Sequence, residues 1–187
     1  EADAIADHQL RREIVATKLA NRIVNRLGLI HPFELAEEEG CSLADLANAF
    51  VIAERLFGVR QLWDDIDAAT MAEDARLALF GHIASGMRAQ IADILRSLPT
   101  GTLPQAGVDA LAPGVSVLAA QVDSLLTHEA IRRSGLVADT LTTLGAPEAL
   151  VARAAMLFKL DGAVGLAQLA ACLLYTPDAA DEEDSVD

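Results

Sequence analysis

The chain has 187 residues, of which 52% are hydrophobic and 4% aromatic, and its formal net charge is −14. This length suits one domain with a single core, and the acidic balance disfavours nucleic-acid binding, which needs basic groups that neutralise phosphates. Alanine and leucine, which favour helices, dominate the composition, whereas the aromatic residues that favour strands are few. We therefore expect an all-α fold, a bundle of about seven to nine helices without a sheet.

The start of the chain, its apolar runs and its cysteines bear on where the protein resides. No secretory signal opens the sequence, and the longest nearly apolar run, from Ala163 to Tyr175, is too short to cross a bilayer. Cys41 and Cys172 match no metal-ligand or disulfide spacing and suit a reducing compartment. We expect a soluble, cytoplasmic protein. Because the first residue is Glu1 rather than Met, we also expect that the chain enters in mid-protein.

Residues 172–187, CLLYTPDAADEEDSVD, change abruptly from an apolar helical pattern to an acidic string. Such a composition predicts a solvated, disordered tail. The string also resembles the conceptual translation of a transposase-type sequencing adapter, which implies that the native residues end near Ala171. The expected organisation is a helical domain over residues 1–171, as a fragment of a larger protein, and then a non-native tail. Without the tail's six acidic residues, 22 acids remain against 14 bases, a net charge of −8.

The segment from Leu10 to Gly28 predicts an amphipathic helix with a basic flank. Its apolar face is spaced by three and four residues and consists of Ala16, Leu19, Ala20, Ile23, Val24 and Leu27. A neighbouring stripe is basic and consists of Arg11, Lys18, Arg22 and Arg26. Because no aromatic residues interleave with this stripe, we favour a flank that is solvated or paired within the protein over one that grips nucleic acid. Charge reversal at Arg22 and Arg26 should then reduce stability or assembly without changing nucleic-acid affinity.

Two helices are predicted next, joined at Gly40. The first is short and runs from about Pro32 to Glu39. Ser42 is a good N-cap for the second, with Asp45 at the capping-box position. The predicted buried face of this second helix consists of Leu43, Leu46, Ala47, Phe50, Val51 and Phe57.

Residues 59–68, VRQLWDDIDA, predict a further short helix with Leu62, Trp63 and Ile66 inward. A long helix is predicted from Met71 to Leu98, and its apolar positions recur at helical spacing. They are Phe80, Ile83, Met87, Ile91, Ile94 and Leu98. This pattern indicates a rod that lies along the core.

The stretch from Pro99 to Gly114 is rich in proline and glycine near its ends and is predicted to be a hinge. Three helices are predicted after it, at about Val115–Leu126, His128–Leu144 with Thr127 as N-cap, and Pro147–Leu160. A final apolar stretch begins at Ala163.

The sequence offers few residues for chemistry. It has no strand followed by a glycine-rich turn and a helix, as a dinucleotide site requires. The four histidines, His8, His31, His82 and His128, are far apart, so we expect scattered histidines rather than a metal site built from several helices. We interpret Asp64, Asp65 and Asp67 as a solvated cluster, because no base or nucleophile accompanies them. We therefore predict no catalytic, cofactor-binding or metal-binding residue in this chain.

A stand-alone regulatory protein, including a helix-turn-helix DNA-binding protein, is the alternative function. This alternative is considered because two short helices are predicted to meet at Gly40. However, the exposed face expected for the second helix carries Asp45, Asn48, Glu54 and Arg55, which suits a phosphate-lined groove poorly. A duplex that shifts on a gel in a salt-dependent way would favour this alternative.

Several stretches together carry a family resemblance. Residues 7–28, DHQLRREIVATKLANRIVNRLG, are followed by residues 37–68, EEEGCSLADLANAFVIAERLFGVRQLWDDIDA, and later by APGV and FKLDGAVGLA. In this order they resemble the C-terminal helical region of the large bacterial NAD-dependent glutamate dehydrogenases. The likeness covers about Asp7 to Ala171 and is strongest in the first third. Its motifs are helix-packing patterns rather than catalytic signatures.

The resemblance implies a parent enzyme that oxidatively deaminates L-glutamate to 2-oxoglutarate and ammonia and passes hydride to NAD. It places the lysine and aspartate catalysts and the nucleotide fold upstream, so Lys18 and Lys159 are not expected to be catalytic, and no cofactor is expected in this fragment. We expect an inactive helical region whose partners are the catalytic domain of the same polypeptide and further subunits of a homo-oligomer. Neither nucleic acid nor a membrane is an expected partner.

Overall fold

A computed structural model describes residues 8–175, and within that range the protein is all-α, as predicted. Its helices vary in length from two turns to seven. They are α1 (Arg11–Leu27), α2 (His31–Glu38), α3 (Leu43–Leu56), α4 (Val59–Ala68), α5 (Glu73–Ser97), α6 (Pro104–Leu125), α7 (His128–Thr143), α8 (Glu148–Lys159) and α9 (Ala163–Tyr175). The described part of the chain contains no strand.

Polar caps and glycines set the helix boundaries. Both predicted N-caps are confirmed: the Asp45 amide donates to Ser42 Oγ at 3.1 Å, and the Ala130 amide donates to Thr127 Oγ1 at 3.2 Å. The Asp45 carboxylate also accepts from Ser42 Oγ and from the Gly101 amide, and these hydrogen bonds lower its pKa. Asp45 thus takes part in the N-terminal cap of α3 and also binds the loop that follows α5.

The long helix α5 lies at the centre of the bundle, as predicted, and packs on α1, α3, α4, α7, α8 and α9. Leu79, Ile83, Met87 and Ile91 on α5 are at most 1% exposed. Helix α3 is the second core helix and packs against α5 and α6 through side chains that include Phe50. Burial of these large side chains supplies most of the stability that a domain of this size can gain.

The predicted helix start at about Val115 is wrong, because α6 begins at Pro104, inside the predicted hinge, and is continuous through Pro113. Proline is tolerated at a first helical position. A Cβ at Gly107 would lie 2.4 Å from Ile52 Cδ1, and one at Gly114 would lie 2.6 Å from Ala167 Cβ. These glycines therefore mark close helix contacts and not flexibility. Hinge motion in the remaining linker, residues 98–103, stays a prediction.

Substituting alanine for Gly114 tests this interpretation. The new methyl group meets the Ala167 backbone as well as its side chain, so α6 and α9 must separate. We expect G114A to lower the free energy of unfolding by about 1–3 kcal/mol. The matched change Gly135→Ala, on α7 with nothing within 4 Å, should instead raise it by about 0.5–1 kcal/mol. Urea denaturation measures both, and the same sign for the two variants would contradict the close-contact interpretation.

The structure departs from the sequence pattern in the burial of α1 and α3 and in the extent of α9. On α1 only Ile23 and Leu27 of the predicted face are buried, because the N-terminal half of the helix extends past its neighbours. On α3, Leu43 is exposed while Glu54, predicted to be exposed, is buried. Helix α9 continues through Tyr175, past the predicted start of the tail. The rest of the predicted tail, residues 176–187, lies outside the described residues.

Among residues 8–175, no single helix has both the length and the apolar character to span a membrane. Helices α6 and α7 meet that test only as a pair, and they are bent by 97° at the break between them.

Candidate functional site

The best-defined polar constellation lies where the basic flank of α1 meets α3, α4 and α5. We call it the arginine anchor. Its members are Arg22, Arg26, Glu54, Trp63, Asp67 and Phe80. The predicted pairing of the basic flank within the protein is confirmed at its two C-terminal arginines, which bind carboxylates on other helices.

Arg22 forms the inner half of the anchor. Its Nη2 atom lies 2.8 Å from Glu54 Oε2, and its guanidinium carbon lies 5.8 Å from the centroid of the Phe50 ring. The Glu54 side chain is only 3% exposed and that of Arg22 is 31% exposed. Glu54 Oε1 and Arg22 Nε have no hydrogen-bond partner among the described residues. The ion pair is thus largely removed from water, yet each partner has one polar atom without a hydrogen bond. Such an arrangement lowers the stability that a buried ion pair can contribute.

Burial raises the pKa of Glu54 above its ordinary value of 4.5, although the positive charges of Arg22, Arg60 and Arg26 act in the opposite direction. The folded protein therefore binds this proton more tightly than the unfolded chain does. The associated stability is fully present below the ordinary pKa and is lost as pH rises through the raised pKa.

A pH series on wild type and Glu54→Gln isolates this effect. We expect the stability of wild type relative to E54Q to fall as pH increases from 4.5 upward, because the variant has no proton to lose at this position. Urea denaturation at each pH gives the difference. A difference that stayed constant, or that grew with pH, would contradict the direction given for Glu54.

Arg26 forms the outer half of the anchor. Its guanidinium carbon lies 5.1 Å from the Trp63 ring and 5.5 Å from the Phe80 ring, and its Nη2 atom lies 2.7 Å from Asp67 Oδ2. The two rings are stacked, with centroids 5.2 Å apart. Cation–π contact and ion pairing thus act on one guanidinium. No local sequence pattern predicts this half of the anchor, because its aromatic residues come from α4 and α5.

The carboxylate cluster of α4 is less solvated than predicted. Asp65 accepts hydrogen bonds from Gln61 and from Arg153, which lower its pKa. Asp67 pairs with Arg26, whereas Asp64 is exposed. The cluster therefore ties α4 to α1 and to α8, although Asp64 and Asp67 are exposed, as the predicted solvated surface requires.

The structure does not bring the four histidines together. His31 Nδ1 lies 2.9 Å from Glu34 Oε2 and 3.0 Å from Arg88 Nη1, while the His8 ring accepts from the Leu10 amide. His82 and His128 are exposed on other helices. Within residues 8–175, no group of three or more His, Cys, Asp or Glu side chains is placed to hold a metal ion.

The two lysines that sequence reasoning set aside lie in different settings. Lys159 on α8 binds Asp123 on α6, with 2.6 Å between Nζ and Oδ1. Lys18 is exposed on the N-terminal half of α1. Lys159 thus ties two helices together.

Helix α3 is poorly placed to act as a DNA recognition helix. It packs on α2, α4, α5 and α6 as well as α1, and its buried residues include Ile52, Ala53 and Glu54. A recognition helix needs an open face that enters the major groove. The structure therefore argues against the helix-turn-helix alternative.

The fold and the anchor together define, within the described residues, an all-helical region in which ion pairs such as Arg22–Glu54, Arg26–Asp67 and Lys159–Asp123 tie helices to one another. A family model described as "Glutamate dehydrogenase, C-terminal" matches residues 2–179. Since this match covers nearly the whole chain, the chain belongs to that family.

The relatives carry one name. The NAD-specific glutamate dehydrogenase of Halomonas elongata is 29% identical over 170 residues, which cover 90% of this chain and 10% of that protein. That of Mycobacterium tuberculosis is 40% identical over 67 residues, covering 36% of this chain and 4% of the relative. That of Pseudomonas aeruginosa is 44% identical over 55 residues, which cover 29% of this chain and 3% of the relative. The chain thus spans about a tenth or less of each relative's length, and no solved structure matches it significantly.

Proposed function

We propose that this chain is a non-catalytic helical domain of a cytoplasmic, NAD-dependent glutamate dehydrogenase and that it packs on the catalytic part of the same polypeptide or joins subunits of a homo-oligomer. The observation that carries the proposal is the family match over residues 2–179 in a chain that spans 10% of the Halomonas relative. The parent reaction converts L-glutamate, NAD and water into 2-oxoglutarate, ammonia and NADH.

The environment of the charged side chains supports a structural role. General acids and bases must reach a substrate with one of their polar atoms unencumbered. Here Asp65 and Lys159 are paired with side chains of other helices. Glu54 is paired with Arg22 and is only 3% exposed, so burial keeps its unpartnered Oε1 atom from a substrate. The nucleotide-binding and catalytic residues then belong to the polypeptide outside this region, and NAD binds there.

Deletion of residues 1–171 from the full-length enzyme tests the proposal. We expect the truncated enzyme to change in oligomer size, in turnover of glutamate, or in both, because a domain that positions its neighbours has been removed. Size-exclusion chromatography with light scattering and NADH absorbance provide the two measurements. Unchanged values for both would contradict the proposal, as would glutamate oxidation by the 187-residue chain alone.

A further inference from the structure

A cleft lies where the turn between α1 and α2 meets the side of α5, and we call it the Arg88 cleft. Its volume is about 360 Å³, which is in the range of small-ligand sites. The residues that line it include Arg26, His31, Phe80, Gly81, Ser85 and Arg88. A Cβ at Gly81 would meet nothing within 4 Å, so the α5 wall leaves room for a bound group.

Arg88 is the basic residue of this cleft that the fold leaves without an anionic partner. It is half-buried, and its Nη1 atom lies 3.0 Å from His31 Nδ1. No carboxylate of residues 8–175 forms an ion pair with it, whereas the neighbouring Arg26 is paired with Asp67 at 2.7 Å. A guanidinium has five N–H donors. The donors of Arg88 thus outnumber the acceptors that the described residues supply.

The contact that Arg88 makes with His31 is also contested. His31 Nδ1 lies 2.9 Å from Glu34 Oε2 as well. A ring nitrogen carries either a proton or a lone pair, so Nδ1 accepts from Arg88 or donates to Glu34, but not both. When His31 donates to Glu34, the guanidinium of Arg88 has no acceptor among the described residues. An acceptor from outside this region would satisfy both side chains at once.

The surroundings of Arg88 suit an oxyanion as that acceptor. The planar guanidinium matches the two oxygens of a carboxylate or phosphate group. Ser85 precedes Arg88 by three residues on the same helix face and is exposed, so its hydroxyl is a second donor. Two carboxylates contact residues of the cleft. Asp67 is paired with Arg26, and Glu34 is 49% exposed, so solvent screens its charge.

We propose that the Arg88 cleft binds an oxyanion, a carboxylate or phosphate group, with the guanidinium of Arg88 as its main partner and the Ser85 hydroxyl as a second donor. His31 then donates from Nδ1 to Glu34, which removes the conflict at that nitrogen. The oxyanion has two possible sources. One is a free small anion, and the other, which rests on the proposed function, is an acidic side chain from the rest of the enzyme.

Phosphorus NMR relaxation of inorganic phosphate, measured with the 187-residue chain at constant ionic strength, tests the proposal. Phosphate that binds the protein relaxes faster than free phosphate. We expect saturable binding to wild type and binding about tenfold or more weaker to Arg88→Met, because charge-assisted hydrogen bonds are lost. Ser85→Glu should weaken binding similarly, since its carboxylate pairs with Arg88 from within the helix. This second variant keeps Arg88 and its contacts with the fold.

Arg12→Met is the matched control. It changes the net charge by the same amount as R88M and S85E, at an exposed position on α1 that is fourteen residues from Arg26. Phosphate binding to this variant should equal that of wild type. Equal binding to wild type and R88M, absence of saturable binding, or an equal loss in R12M and R88M would each overturn the proposal.

The same measurement on the full-length enzyme identifies the source of the oxyanion. Phosphate bound at other places is common to wild type and R88M, so the difference between the two proteins reports the Arg88 cleft. A difference that persists in the full-length enzyme identifies a free anion. A difference seen only with the 187-residue chain identifies a side chain of the enzyme as the occupant. The deletion of residues 1–171 is scored separately, so failure of the proposed function and failure of this site are distinguishable.

Discussion

Replacing Trp63 with alanine should lower the free energy of unfolding by about 3–5 kcal/mol, the largest effect expected of any single substitution in this domain. The Trp63 side chain is 2% exposed and stacks on Phe80. Its removal leaves a cavity between α4 and α5 and takes one aromatic face from Arg26. The loss therefore combines hydrophobic burial, ring stacking and cation–π contact.

Urea denaturation monitored by far-UV circular dichroism measures this loss without relying on tryptophan fluorescence. Trp63→Phe is the matched control, because it keeps an aromatic ring for Phe80 and Arg26, and it should cost less than half as much. If W63A lowered the free energy of unfolding by less than about 1 kcal/mol, as an ordinary surface substitution does, the stabilising role of the anchor would be contradicted.

Replacing Arg22 with methionine should cost about 3 kcal/mol of folding stability, since it leaves the carboxylate of Glu54 buried without its cation. This value is at the low end for a broken buried ion pair, because the Arg22 side chain is 31% exposed and solvent screens part of the interaction. Removal of Arg22 also takes away a charge that lowers the pKa of Glu54. The variant should therefore be more sensitive to rising pH than wild type.

The double variant R22M/E54L separates two contributions to the free energy of unfolding. One is the net contribution of the ion pair, and the other is the cost of leaving one buried charge without its partner. An apolar pair of similar volume removes both desolvated charges, so we expect its stability to return to within about 1 kcal/mol of wild type. Thermal and urea denaturation of wild type, R22M, E54L and R22M/E54L give the four stabilities that a double-mutant cycle requires. A double variant as unstable as the sum of the two single variants would show that Arg22 and Glu54 are not coupled.

The local features of the fold were predictable because short-range chemistry sets them. The bounds of α4 and the caps at Ser42 and Thr127 follow from residues within one helical turn. The helix start expected at Val115 is wrong for a long-range reason: proline and glycine break helices in isolation, but here α6 has a glycine, Gly114, where Ala167 of α9 approaches. Periodicity within one segment contains no information about such neighbours.

In the arginine anchor, too, the local feature was predictable and the long-range contacts were not. The basic stripe of α1 was visible in the sequence, and pairing within the protein was the favoured interpretation. The partners were not visible, because Glu54 reads as an exposed helix residue until α1 covers it, and Trp63 and Phe80 read only as core positions. The exposure of the N-terminal half of α1 was equally hidden, since its apolar spacing continues without change into the half that contains the buried Ile23 and Leu27.

The anchor also fixes how α1 is seated on the bundle. Arg22 and Arg26 stand one turn apart and engage separate helices, α3 and α4. Rolling α1 by one residue would turn both guanidinium groups through about 100°, and sliding it by one turn would place Arg22 opposite the acceptor of Arg26. The two ion pairs thus select one rotation of α1 about its own axis and one register along its neighbours.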